Sequence, residues 1–123
     1  MNDRKAKQSA KKDRYLRDQL PIRLGNLASN LSRLESFAGN ATLGEAACRV
    51  LIESKFFIEW TAADASLSQQ VELLELQRTL ARWQLTWSKI WDDSEKRSSI
   101  AAQAGNWSKK VLKQSGLLDD VNG

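Results

Sequence analysis

Leu20, Leu24, Leu27, Leu31, Leu34 and Ala38 recur at alternating spacings of four and three residues. That period lines six side chains along one stripe of an α-helix, and it does not fit the two-residue repeat of a strand. With one proline and six glycines in 123 residues, little interrupts such helices. Pro21 falls where a first helical turn tolerates a missing N–H. Gly39-Asn40 predicts the end of this first core helix, over 20–38, through a left-handed turn.

Three further stretches read the same way. Thr42-Leu-Gly-Glu45 is a capping-box pattern, in which a hydroxyl and a carboxylate satisfy orphan backbone donors. It opens a helix expected over 43–65, carrying Leu43, Ala47, Val50, Leu51, Ser54, Phe57, Ile58 and Thr61 on its core face. Ser66-Leu-Ser-Gln69 opens a third helix over 67–91, with Leu73, Leu76, Leu80, Trp83, Trp87, Ile90 and Trp91 on one face. Asp92-Asp-Ser-Glu95 opens a fourth over 94–115, with Ile100, Ala104, Trp107, Val111 and Leu118 on one stripe, and Gly116 is its stop. Short connections between amphipathic helices imply antiparallel neighbours. The expected fold is all-α: a four-helix antiparallel bundle over 20–118, preceded by a basic arm over 1–19, flexible or partly helical, and followed by a tail over 119–123.

The absence of histidine excludes Ser-His-Asp and Cys-His catalysis and the Glu-x-x-His di-iron sites of helical bundles. The lone Cys48 cannot form an intrachain disulfide or complete a zinc site. Absence of disulfides suits a reducing cytosol, and the apolar runs are too short for a membrane span. The expected location is cytoplasmic. Glu72-x-x-Glu75, with Glu53 and Glu59, is the nearest approach to a magnesium-binding acidic cluster of the kind used by all-α nucleotide phosphohydrolases. The second facing pair that such chemistry needs is missing. The expectation is a non-enzyme without metal or cofactor, metal-dependent phosphohydrolysis being the remote alternative.

The stretch Lys55-Phe-Phe-Ile-Glu-Trp60 holds four large apolar side chains in six positions. At 100° per residue, Phe57 and Ile58 join the core stripe, whereas Ile52, Phe56 and Trp60 project from the other side. The third helix also has a second stripe, Leu67, Val71, Leu74, Ala81 and Leu85, interleaved with Arg78 and Arg82. A helix apolar on both sides is covered on both sides. The surplus must therefore meet either the arm or another chain. Self-association, as a dimer first, is the preferred reading, since symmetric homo-oligomers are common and aromatic residues and Arg are enriched at interfaces. It is weighed against ordinary intramolecular core, because helix rotations in an irregular bundle can bury wide apolar arcs. The expected interface comprises Ile52, Phe56, Trp60, Leu67, Val71, Leu74, Arg78, Arg82 and Leu85, with a heterologous protein as the other candidate partner.

Charge is concentrated at one end. Residues 1–17 hold seven basic and two acidic residues, a net of +5, and the remainder holds twelve against thirteen, a net of −1. Arg4, Lys5, Lys7, Lys11, Lys12, Arg14 and Arg17 are the candidate contacts to a phosphate polyanion such as nucleic acid, weighed against a plain solvated tail. Tyr15 is the only aromatic residue there. The long, rod-like helices do not suit a helix-turn-helix reader of DNA. Finally, "ESKFFIEWTAAD" (53–64), "LLELQRTLARWQLTW" (73–87) and "WSKKVLKQSGLL" (107–118) resemble segments of small helical cyanobacterial proteins without assigned function. That resemblance implies a cytoplasmic, cofactor-free protein and carries over no functional residue.

Overall fold

The computed structural model describes residues 2–117, whose regular elements are all helical, with no strand among them. Leu118, the 119–123 tail and the side chain of Arg4 lie outside the described part. Six α-helices follow one another: α1 (Asn2–Arg17), α2 (Leu20–Phe37), α3 (Gly44–Ala62), α4 (Leu67–Leu85), α5 (Trp87–Trp91) and α6 (Ser94–Ser115), with a 3₁₀ turn at Ala41–Leu43. The leucine stripe does what its period demands: Leu24, Leu27, Leu31 and Leu34 are wholly buried. They share one core cluster with Leu51 of α3 and with Leu76 and Leu80 of α4, which are equally enclosed. Helix α2 packs most extensively on α6 and next on α3, and α3 in turn carries α4.

Caps explain most boundaries. Pro21 lies in the first turn of α2 as expected. The Ser66 box forms: its hydroxyl accepts from the Gln69 N–H at 3.2 Å, and the Gln69 side chain accepts from the Ser66 N–H at 2.8 Å. Gly116 closes α6 with φ at 78°, the left-handed region that favours glycine.

Other boundaries depart from expectation. Gly39 and Asn40 do not use a left-handed turn, since Gly116 alone among the described residues has a positive φ. The Thr42–Glu45 box does not form. Instead the Asn40 side chain accepts from the Thr42 N–H at 3.0 Å, so the turn starts two residues earlier, in 3₁₀ form, and α3 begins at Gly44. It ends at Ala62 rather than 65. Asp93, not Asp92, caps α6 by accepting from the N–H groups of Glu95 and Lys96.

The expected 67–91 helix is broken at Thr86. No proline or glycine is responsible. Beyond the break, the Trp87 and Trp91 indoles donate to the carbonyls of Gly44 (3.2 Å) and Ala41 (2.7 Å), hooking α5 over the entrance to α3. The gain is two satisfied donors and a stacked pair of indoles 5.1 Å apart. Lost helical hydrogen bonds at one residue are a smaller cost than leaving two indoles without acceptors.

Residues 1–19, expected to be flexible or partly helical, contain a continuous helix, α1, seated on α3. Tyr15, 5% exposed, is its anchor.

Candidate interaction surfaces

Two polar links hold α1 in place. The Tyr15 hydroxyl donates to the Arg23 carbonyl at 3.0 Å and meets the Thr61 hydroxyl at 2.7 Å. A phenol has one hydrogen, and the Arg23 carbonyl can only accept, so Thr61 must be the donor in the second bond. The ring stacks on Phe57 at 4.3 Å and tilts against Trp60 at 5.7 Å. Burial, eased only in part by the Thr61 bond, pushes the Tyr15 hydroxyl pKa up to about 12. Arg23, buried beside it, donates to the Asp18 carbonyl at 3.1 Å and pairs with Asp64 at 3.0 Å, tying the α1–α2 connection to the end of α3.

The second link joins three helices. Lys11 of α1 pairs with Glu53 of α3, and Glu53 also accepts from the Asn30 side chain of α2 at 3.0 Å. Burial alone would raise the Glu53 carboxyl, but the bonds from Lys11 and Asn30 outweigh it and hold its pKa below the ordinary value.

These contacts redistribute the residues expected at an interface. Trp60 is buried, covered by Tyr15 and Phe57 from within the chain, and so is not an exposed contact residue. Ile52 and Phe56 are half-buried and pack against the core. They line a cleft of about 520 Å³ between α1, α2 and α3, rimmed by Lys11, Arg33, Arg49 and Glu53. Of the α3 surplus, the arm covers Trp60 through Tyr15, while Ile52 and Phe56 stay at the wall of the cleft.

The surplus on α4 has no such cover. Leu67 is 78% exposed, Val71 56%, Leu74 54% and Leu85 86%. At 100° per residue these four fall within an arc of about 60°, roughly opposite the buried Leu73, Leu76, Leu80 and Trp83. Arg78 and Arg82 are exposed on the same side, and Ala81 is half-buried at its margin. Leu74 also borders a shallow groove toward α3, with Ile58, Ala62, Gln70 and Gln77. The helix is 19 residues long, so the stripe extends over roughly 28 Å.

Four of the basic residues of α1, Lys7, Lys11, Arg14 and Arg17, line one open cleft together with Asp13. Lys11 is engaged by Glu53. Of the exposed ones, Lys5 and Lys12 lie on one side of the helix, while Lys7 and Arg14 lie on nearly the opposite side, with Arg17 between.

Catalytic elements are sparse. Among the described residues no three His, Cys, Asp or Glu side chains come together as a metal site would require, and Glu75 is exposed while Glu72 is half-buried. Cys48 is half-buried on α3, and burial raises its pKa, which disfavours the nucleophilic thiolate. No helix among the described residues is long and apolar enough to cross a membrane.

Tyr15 and Arg23 are the residues that sequence reasoning missed. One aromatic side chain in an otherwise polar helix is the signal for an anchor, and a cation inside a leucine stripe is the signal for a buried pair. No family model, curated protein or solved structure matches the chain.

Proposed function

We propose that the chain is a non-enzymatic helical interaction module that self-associates through the outward face of α4. Its scaffold in this reading is an antiparallel bundle of α2, α3, α4 and α6, with α1 as a docked cover over α3. The observation that carries the proposal is the exposed stripe Leu67, Val71, Leu74 and Leu85, with Arg78 and half-buried Ala81 filling the interval between Leu74 and Leu85. Single exposed leucines are unremarkable, but four large apolar residues share one face of one helix with Arg78 among them and Arg82 at the margin, the composition of contact surfaces. Helix propensity does not explain them, since Gln, Glu or Lys would serve a solvated face as well.

Size-exclusion chromatography with light scattering tests this. The expected result is a dimer whose population falls on dilution. Leu74→Glu and Leu85→Glu should each give a monomer with unchanged helical circular dichroism, because both side chains leave the core untouched. A wild-type chain that stays monomeric at high micromolar concentration refutes the proposal.

A further inference from the structure

Resting on that reading, we infer that the partner is a second copy of the chain whose α4 lies antiparallel to the first, in an orientation chosen by Arg78 and Glu75. The exposed residues of α4 that face one way are Leu67, Val71, Leu74, Arg78 and Leu85, with half-buried Ala81 beside them. Successive steps along 67, 71, 74, 78, 81 and 85 are four, three, four, three and four. This is the 3.5-residue period of a two-helix seam, on a helix whose other side is already committed to the core.

The seam contains one charge, Arg78, and that charge discriminates between orientations. In a parallel, in-register pair Arg78 of one copy faces Arg78 of the other, two like charges within an apolar layer. In an antiparallel pair with its two-fold axis near position 76, Leu67 of one copy faces Leu85 of the other. Val71 then faces Ala81, and Leu74 faces Arg78. All six positions are used, with the bulkiest pair closing each end and the small Ala81 opposite β-branched Val71.

Glu75 completes the pattern. It lies on the same flank of the seam as Arg78, and under the antiparallel operation it falls about one residue rise, roughly 1.5 Å, along the axis from Arg78 of the other copy. Each arginine thus meets a carboxylate from across the seam, and the four charges near the axis sum to zero. Both residues are exposed, and among the described residues neither takes part in an ion pair within the chain. On the other flank Gln70, Gln77 and Gln84 are half-buried and turned toward α3, so no exposed charge of α4 stands on that side. Gln70 donates to the Ala62 and Ala65 carbonyls, Gln77 donates to the Lys55 carbonyl, and Gln84 accepts from the Lys55 ammonium.

Cysteine trapping distinguishes the orientations. In a Cys48→Ala background, Leu67→Cys and Leu85→Cys chains are prepared separately, mixed in equal amounts and oxidised, and the disulfides are identified by mass spectrometry. The antiparallel pairing predicts that the mixed 67–85 disulfide exceeds either same-site disulfide by at least about tenfold, because same-site cysteines would be roughly 27 Å apart. A second measurement does not depend on cysteine: Arg78→Glu should weaken dimerisation about tenfold, and adding Glu75→Arg should restore it. A wild-type dimer by light scattering that yields same-site disulfides, or that is insensitive to the charge exchange, overturns the antiparallel inference while leaving self-association standing. A monomeric wild-type chain overturns both.

Discussion

Removing one oxygen atom from Tyr15 tests how α1 is held. In Tyr15→Phe the ring keeps its stacking on Phe57, 4.3 Å away, but the Arg23 carbonyl loses a donor and the buried Thr61 hydroxyl loses its acceptor. Two hydrogen bonds at about 1 kcal/mol each, partly recovered if Thr61 turns to its own helix backbone, give an expected loss of about 1–2 kcal/mol.

The same residue makes a second, signed prediction. Its hydroxyl ionises near 10 in the unfolded chain and at about 12 in the fold, because burial disfavours the phenolate. A raised pKa contributes stability that is fully present below pH 10 and is lost as the pH rises from 10 through about 12. Two units correspond to at most about 2.7 kcal/mol. A phenylalanine ring has no proton to lose, and the deprotonation of lysines is common to both proteins. The wild-type advantage over Tyr15→Phe should therefore hold between pH 7 and 9 and close above pH 10. Urea unfolding at stepped pH, with equal m-values for the two proteins, measures it. An advantage below about 0.5 kcal/mol at pH 8, or one that does not change up to pH 12, would falsify the account of Tyr15 as a buried, hydrogen-bonded anchor.

Two other substitutions probe the local packing and capping. A Cβ on Gly44 would stand 2.8 Å from Trp91 Cδ1 and 2.9 Å from its Nε1, so Gly44→Ala should cost about 1–3 kcal/mol in thermal or urea unfolding, outweighing the roughly 1 kcal/mol of helix propensity gained. A more stable variant would show that the indole is free to move. Ser66→Ala should cost about 1 kcal/mol through loss of the capping box, while Thr42→Ala should cost less because Asn40 remains the cap of its turn. Equal losses in the two variants would contradict the assigned caps.

The parts of this fold readable from sequence are those governed by local rules. The leucines of α2, the Ser66 box and Gly116 each depend on neighbours within a turn, and each is found where periodicity and capping predict it. The Thr42 box fails through local competition: Asn40, two residues earlier, captures the Thr42 N–H first. The break at Thr86 is invisible to such rules, because its cause lies more than 40 residues away, at the carbonyls of Ala41 and Gly44. Docking of α1 is also a long-range event, set by Tyr15 with Thr61 and Lys11 with Glu53. The α4 stripe is legible because surplus apolar spacing shows on a helical wheel. The corresponding surplus on α3 is legible too, but a wheel does not say which surface covers it.

The extensive packing of α2 on α6 has a consequence for how the chain acquires its fold. Ser108 of α6 donates to the Ala28 carbonyl of α2 across 80 positions, whereas Asn30 of α2 reaches Glu53 of α3 across 23. Closing the longer loop costs only about 1 kcal/mol more, so equilibrium stability is little affected. Time is affected. At about 5–20 residues per second of synthesis, roughly 4–16 s separate the emergence of Ala28 from that of Ser108. Through that interval the leucine face of α2 can be only partly covered, by α3 and α4. A nascent chain of this design therefore carries an open apolar face for seconds before α6 arrives, which is the period in which a chaperone, or a neighbouring nascent copy, can engage it.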